Sequence, residues 1–474
     1  MFERLKEESL MLEKKVDSFL QRQDIDLKNK GLIVGVSGGP DSLALLSYLW
    51  TRRDIWNLTI VAVHVDHMFR GEESFNEAKF VEEYCYDHRI PFKFKQINVK
   101  EYMTTNKKSS QVAARECRYD FFNEIMTDYK FPYLALGHHG DDQIETILMR
   151  LTRGSSGKAR AGISVKRSYF NGEIIRPFLC LTKPEIEAYC LQKQLNPRQD
   201  PSNYKEVYSR NRFRKYVLPF LKQENPKVHE HFQRFSEELQ EDEQFLQELA
   251  LKKTEKIMKK SNDEIILDIK SFTTMPIPLQ RRGIQLILNY LYQEKPESLS
   301  AIHINQFFSL INRFQPSGLL DFPNGLQVIR SYNSCYFLFN RKDPIPYRFE
   351  ITAPGRVQLP DGSKLTIESG SYDPGVVGLD QLLLDISEYP LPIVIRTRRN
   401  GDRMSLKGMK GTKKIKDIFI DEKLPIHKRD GWPIITDQED QILWVPGIKH
   451  ASLSAKDKVT SRYLLFTYIR NEFF

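Results

Sequence analysis

Cysteine is scarce: Cys85, Cys117, Cys180, Cys190 and Cys335 are the only five in 474 residues, and no two form a CxxC pair. That spacing excludes a disulfide framework and a zinc site built on paired thiols, leaving buried or incidental thiols. Long hydrophobic runs are also missing. No apolar stretch approaches the roughly 18 residues that span a bilayer as a helix, which excludes a helical membrane protein. The first residues, MFERLKEESLMLEKKV, set charges against Leu, Met and Val at helical spacing and carry no apolar signal core. They predict an amphipathic helix in a cytoplasmic protein. Internal repeats and low-complexity tracts are absent as well.

What is present is an ordinary globular composition, 40% hydrophobic and 28% charged, in a chain long enough for two to four domains at roughly 100 to 200 residues each. Net charge is +9, and most of the excess sits in one place. Between Arg396 and Arg429 stand twelve Lys and Arg against four acids, a local net of +8 in 34 residues. A focus of that kind attracts polyanions, of which nucleic acid is the commonest, with a solvated basic face as the lesser alternative.

Periodicity divides the chain. From Gly31 to about Tyr133, GLIVGVS, LTIVAVHV and FKFKQINV alternate with helical stretches, and YLALGHH follows. Strands that return through helices predict an α/β fold with a doubly wound parallel sheet, whose ligands bind at the carboxyl ends of the strands. Each of three strands there ends in polar residues: SGGPDS, HVDH and GHHGDD. These should meet in one crevice. A helical middle domain and a small α/β or α+β C-terminal domain complete the expectation, with boundaries at 1–214, 215–345 and 346–474 and a C-terminal core over about 391–470.

SGGPDS carries the first chemistry. Ser37, Gly38 and Gly39 let backbone amides approach an anion, and the helix that follows offers its N-terminal dipole. The turn has neither the GKS or GKT of a Walker A loop nor a GxGxxG fingerprint, so both of those nucleotide sites are excluded. Arg115 and Arg118, at i and i+3, can approach one anion together. Asp142 and Glu145 stand one helical turn apart after His138 and His139. Carboxylates so placed can take a proton from a reacting group and orient it, while Asp141 and Asp142 also suit the start of a helix. His64, Asp66 and His67 form no closed metal set. Arg210, Asn211, Arg212 and Arg214 fall where the α/β region gives way to the helical one, and there they read either as contacts for a polyanion or as helix-surface charges.

SGGPDS matches the SGGxDS signature of the PP-loop ATP pyrophosphatase superfamily. The fuller set of HVDHMFRGEES, AARECRYDFF, GHHGDDQIETILMRLTRGS, DPSNY, RNRFRKYVLP and RTRRNGDRM with GTKKIKD resembles the tRNA(Ile)-lysidine synthetase family. These motifs cover the first 220 residues and again Arg396 to about Gly447. The resemblance implies a ligase that forms a carbon–nitrogen bond. It adenylates the C2 carbonyl of the wobble cytidine in an isoleucine tRNA with a CAU anticodon, then joins free L-lysine with release of AMP and diphosphate. It also implies ATP and Mg²⁺ as cofactors. Ser37, Gly38, Gly39, Pro40 and Ser42 would surround phosphate, Asp41 would place Mg²⁺ or the reacting groups, and backbone near Val63 and His64 would meet adenine. Asp41, Arg115, Arg118, His138 and Asp142 are the expected catalytic set. Arg210, Arg212, Arg214, Arg398, Arg399, Arg403, Lys413, Lys414 and Lys416 are expected on the tRNA, and a homodimer is admitted as an assembly. Two rivals stand beside this reading: a PP-loop tRNA thiolase, and an ATP-sensing RNA-binding protein with a dead site.

Overall fold

Short β-branched runs followed by apolar-periodic stretches become, in the computed structural model of the chain, strands that return through helices. Residues 2–69, 71–198, 209–260, 264–292, 296, 298–339, 345–370, 378–406, 408–452 and 463–470 are described. The DPSNY motif at 200–204 and Arg70 lie outside them. The chain forms two compact units, Met1–Phe245 and Leu246–Phe474.

In the first unit, β1 (Gly31–Gly35), β2 (Thr59–Asp66), β3 (Phe92–Gln96), β4 (Tyr133–Leu136), β5 (Lys166–Tyr169) and β6 (Gly172–Ile175) form one sheet in the order β3-β2-β1-β4-β6-β5. All neighbours are parallel except β5 against β6, and Val34 of β1 sits opposite both Ala62 and Ala135. Helices α2 (Pro40–Trp56), α3 (Glu72–Asp87), α4 (Val99–Asn106), α5 (Ser110–Tyr129), α6 (Gly140–Thr152) and α7 (Lys183–Gln192) connect or cover the strands. Leu32, Ile33 and Val34 are fully buried, which is why β1 reads as a continuous apolar run: a parallel strand covered on both faces has no polar side to show. The N-terminal helix α1 (Phe2–Arg22) is tied to α2 by Arg52, which bonds Glu13 at 2.9 Å and Asp17 at 3.0 Å, while the Tyr48 hydroxyl donates to Asp17 at 2.6 Å. With its guanidinium nitrogens bonded, Arg52 can lie buried without an unpaired charge.

The chain leaves β1 toward β2 and β3 on one side and later places β4 on the other. That reversal is the switch point at which a parallel sheet opens a crevice. The loops after β1 and β4, SGGPDS and GHHGDD, flank it.

A short helix α8 (Ser209–Arg212), a single π-helical stretch (Phe213–Val217), α9 (Leu218–Glu224) and the long α10 (Val228–Glu255) follow, and the boundary between the units falls within α10. The second unit carries α11 (Ile269–Thr273), α12 (Ile277–Leu291) and α13 (Ala301–Ile311) against β7 (Met258–Lys260), β8 (Glu264–Asp268), β9 (Ser317–Asp321), β10 (Leu326–Ser331) and β11 (Ser334–Phe339). These strands form an antiparallel sheet in the order β7-β8-β11-β10-β9. Ile287, Phe307 and Leu310 from the helices share a core with Val328 and Phe337 from the strands. The helices were legible from their period; the sheet beside them was not singled out.

The basic end of the chain is α+β. One sheet contains β12 (Arg348–Ile351), β16 (Ile393–Thr397), β19 (Pro433–Thr436), β20 (Ile442–Val445) and β21 (Lys449–His450). A second contains β13 (Gly355–Gln358), β14 (Lys364–Gly370), β15 (Gln381–Asp385) and β22 (Tyr463–Ile469). Ile393, Ile395 and Trp444 of the first meet Leu365, Leu382 and Phe466 of the second in one core, as two packed antiparallel sheets must. A two-stranded hairpin, β17 (Arg403–Ser405) and β18 (Thr412–Lys414), and the helix α14 (Ile415–Asp421) carry Arg403, Lys413, Lys414 and Lys416 of the basic stretch. Among the described residues no helix is long and apolar enough to cross a membrane.

Candidate active site

The turn after β1 is shaped by three local constraints. Gly38 has φ +84°, a left-handed conformation that side chains rarely adopt. Gly39 caps α2 and Pro40 opens it, where a missing amide hydrogen costs nothing. Ser42 then ties the loop together: its Oγ accepts from the Ser37 amide at 3.0 Å, donates to the Gly39 carbonyl at 3.2 Å and lies 3.2 Å from Ser37 Oγ. Across the switch point the β4 loop comes into backbone contact, since a Cβ on Gly137 would lie 2.9 Å from the Asp41 carbonyl carbon and oxygen. Between the loops opens a cleft of about 940 Å³, at the upper end of the roughly 300–1,000 Å³ usual for small-molecule sites. Ser37, Gly39, Pro40, Asp41, Ser42, Val63, His64, His67, Phe69, Arg118, Tyr119, His138, His139, Lys183, Arg198 and Arg214 are on its walls.

Carboxylates and cations alternate on the floor. Asp41 Oδ1 accepts from Lys183 Nζ at 2.6 Å and lies 3.8 Å from His139 Nε2, which is 3.6 Å from Asp142 Oδ2. His139 thus stands between the carboxylates of the two loops. Asp142 also accepts from its own helix start, the His139 amide at 3.1 Å, and from Arg214 at 3.4 Å. Burial alone would raise its pKa, but the flanking imidazoles, Arg210 and that amide hold the carboxyl well below the usual carboxylate range. Glu145, one turn on and sealed from solvent, is paired with Arg214 at 2.7 Å and Arg210 at 3.1 Å; burial outweighs those cations and its pKa is raised. Asp141 is taken by Lys222 at 2.6 Å. His138 is pushed down to about 3, first by burial and then, against the pull of Asp142, by Arg176, Arg210 and Arg118. At neutral pH the site therefore holds a permanently ionised Asp142 beside a neutral His138. That arrangement can orient a cation and accept or donate hydrogen bonds, but it offers no strong base.

Family comparisons agree with this architecture. Residues 9–221 match a PP-loop domain, 267–336 a TilS substrate binding domain and 393–464 a TilS substrate C-terminal domain. Over 462 residues the chain is 49% identical to a Bacillus cereus protein named tRNA(Ile)-lysidine synthase, covering 97% of each. The chain belongs to the tRNA(Ile)-lysidine synthase family. A Geobacillus kaustophilus member is 48% identical over 456 residues, 96% of this chain and 98% of that one. Among solved structures, a crystal structure of a TilS C-terminal domain is 43% identical, covers 26% of this chain and 97% of its own, and superposes with a TM-score of 0.25. The chain is accordingly an enzyme of the PP-loop class that uses ATP.

The residues expected from the family pattern do not all stand where that pattern suggested. Ser37, Gly39, Pro40, Asp41, Ser42, Val63, His64, Arg118 and His138 line the cleft. Gly38 is packed beneath the loop, its missing Cβ 3.5 Å from Val81. The two arginines of α5 both lie over Tyr119, with their guanidinium carbons 5.1 Å and 5.8 Å from its ring centre; Arg118 lines the cleft, whereas Arg115 is exposed and is not among its lining residues. Arg210 and Arg214 turn inward onto Glu145 and Asp142, because a sealed carboxylate demands counter-charge more strongly than solvent does; Arg212 is exposed. In the C-terminal module Arg398 pairs with Asp430 at 2.6 Å, Arg399 with Asp440 at 2.7 Å and Lys413 with Asp421, while Arg403 bonds Thr412 at 2.8 Å. Lys414 and Lys416 are exposed.

Lys183, Arg198 and Arg176 were missed. Arg198 lines the cleft and its amide donates to the Gly38 carbonyl at 3.0 Å. Arg176 is buried near His138, bonded to the Ser164 carbonyl at 2.6 Å. In sequence each is one more basic residue; only LTKPE, a capping signature that starts a helix right at Lys183, marked its position.

The buried imidazoles set a pH dependence. His67, lowered to about 4 by burial and then by Arg118, and His138, lowered to about 3, bind fewer protons when folded than at the unfolded value of about 6.5. Their contribution to stability is complete above about pH 6.5 and is lost as pH falls toward 4. The thermal midpoint is expected to drop between pH 7 and pH 5, and to drop less in the H67N/H138N variant. A wild-type midpoint as high at pH 5 as at pH 7 would contradict the assignment.

Proposed function

We propose that the chain makes lysidine in an isoleucine tRNA bearing the CAU anticodon, as a carbon–nitrogen ligase that consumes ATP and free L-lysine. The supporting observation is the meeting, at one switch point, of a phosphate-shaped turn with an ionised carboxylate and a neutral imidazole. In the first step the cytidine O2 attacks the α-phosphorus, the bond from α-phosphorus to the bridging oxygen breaks, and diphosphate leaves. In the second the lysine ε-amine attacks C2, the C2–O2 bond breaks, AMP leaves with that oxygen, and the amine gives up a proton to solvent. Neither carbonyl nor amine reacts readily unaided, so the site must supply charge and orientation.

The residues fit those demands. The Gly38 and Gly39 amides with Ser37 and Ser42 would receive the diphosphate, the Val63 and His64 backbone would meet adenine, and Arg118 would face charge developing on the α-phosphate. Among the described residues no group of three His, Cys, Asp or Glu could cage a metal; Mg²⁺ needs only one or two carboxylates when substrate phosphates supply the rest, and Asp41 beside the turn suits that role. When bound there, the cation would neutralise phosphate charge. Asp142 and His138 would hold and orient the lysine amine rather than deprotonate it. Arg210 and Arg214 would fix Asp142 and Glu145 instead of contacting tRNA. Arg115 and Arg212, with Arg398, Arg399, Arg403, Lys413, Lys414 and Lys416, would contact tRNA phosphates, which position the substrate rather than read it. On this reading residues 1–214 catalyse, 215–345 and 346–474 bind tRNA, and the protein works in the cytoplasm, with a homodimer as the assembly to test.

Incubating the protein with ATP, Mg²⁺, radiolabelled lysine and CAU-anticodon tRNA should place label in the wobble nucleoside. Sulfur transfer in its place would favour a thiolase, which the five buried, unpaired cysteines do not suit; ATP binding without turnover would favour a dead site. A further expectation concerns the basic module: K414A/K416A should raise the KM for tRNA about five- to tenfold, leave that for ATP within about twofold, and flatten the salt dependence by about one unit of slope for each lysine removed. Steady-state kinetics over a salt series checks it, and equal changes for both substrates would refute it.

A further inference from the structure

The turn that receives phosphate contains no lysine, yet an ammonium lies on it. Lys183 reaches the loop from the first residue of α7, 142 positions later in the chain, and donates to Asp41 at 2.6 Å. Its backbone is fixed there. Thr182 accepts from the Glu185 amide at 3.4 Å, Glu185 accepts from the Thr182 amide at 2.7 Å, and Lys15 braces Glu185 at 2.7 Å. Pairing with Asp41 is not an end in itself. Both side chains are about one-third exposed, 30% and 31%, and pairs so open to solvent add little stability. Both also line the cleft.

We propose that Lys183 is a diphosphate-binding residue of this site, neutralising Asp41 while the cleft is empty and turning to the β- and γ-phosphates once the divalent cation claims that carboxylate. The inference rests on the ATP-cleaving reading above. In an empty site, Asp41 without a counter-charge would repel an incoming polyphosphate. With cation and ATP bound, the carboxylate no longer needs the ammonium, and a four-carbon stem carries it to the phosphates without moving the backbone. Either way neither Lys183 nor Asp41 is left unpaired. The same service is given in a Walker A loop by a lysine within the loop itself; here tertiary structure brings it from another helix.

Calorimetry on the full chain tests this with ATP, inorganic diphosphate and AMP as probes. In Mg²⁺, K183M should bind ATP and diphosphate about 10- to 100-fold more weakly than wild type and AMP within about twofold, with K183R recovering most of the loss. In EDTA the gap for ATP between wild type and K183M should shrink to about threefold or less, since Lys183 then stays on Asp41. Parallel loss of ATP and AMP binding, which a merely structural lysine would produce, overturns the proposal. So does unchanged ATP binding in K183M, or a gap of the same size with and without the cation. Failure of wild type to bind either ATP or diphosphate would instead remove the ATP-cleaving reading itself.

Discussion

Asp142→Asn is expected to lower lysine transfer by roughly 10²- to 10³-fold, the scale seen when a preorganised electrostatic partner is removed, while diphosphate release driven by tRNA and ATP remains measurable. The separation follows from what Asp142 can and cannot do. Its acid is held well below the carboxylate range by the surrounding imidazoles, Arg210 and the His139 amide, so it stays ionised throughout the working pH range and is too weak a base to strip an ammonium. As a fixed anion it can orient the amine and stabilise the positive charge that grows on nitrogen as C2 is attacked. Asparagine keeps the shape and the oxygen that accepts from the His139 amide at 3.1 Å, but loses the charge. Neutral His138 cannot replace it. Quench-flow of the two half-reactions checks the prediction; undiminished transfer, or equal loss of both half-reactions, would refute this role.

Gly137→Ala should cost about 1–3 kcal/mol of stability, the range for inserting a methyl into a packed site, and weaken ATP binding at least about tenfold. The position has no special dihedral to defend; its reason for being glycine is contact. An added Cβ would stand 2.9 Å from both the carbonyl carbon and oxygen of Asp41 and 3.0 Å from the Ser42 amide nitrogen. All three are backbone atoms of the turn after β1 and the start of α2, so no side chain can swing away. The β4 loop or the first turn of α2 must move, and with it Asp41, Ser42 and the Ser42 bonds that shape the loop. Gly355→Ala is the control, because a Cβ there meets nothing within 4 Å. Thermal melts and ATP titrations of the two variants should differ accordingly; a Gly137→Ala protein that matches the control in both would show that the loops are not coupled.

Local signals in the chain are strong. GLIVG, TIVAVHVD and YLAL announce parallel strands because a strand covered on both faces must be apolar throughout, and SGGPDS announces a phosphate turn because two adjacent glycines before a helix have few other uses. Arg118 and His138 line the cleft at the strand ends; Asp142 is not among its lining residues and stands beside His139. The partners of those residues were less legible. Arg210 and Arg214 look, in RNRFRK, like tRNA ligands, and nothing local says that Glu145 will be sealed behind them.

What the sequence alone determined, then, is the part governed by short-range physics: the alternation that makes the doubly wound sheet, the turn shape and its lack of a Walker lysine, the helix that follows that turn, and the basic stretch near the end. Only the tertiary structure decided which charges meet. It put Lys183 on Asp41 across 142 residues, His139 between Asp41 and Asp142, and Arg115 outside the cleft that Arg118 enters. The reason is physical: a hydrogen-bonding pattern or a glycine preference is set within a few residues, whereas the state of a charged side chain depends on burial and on whichever opposite charge the fold brings within a few ångströms.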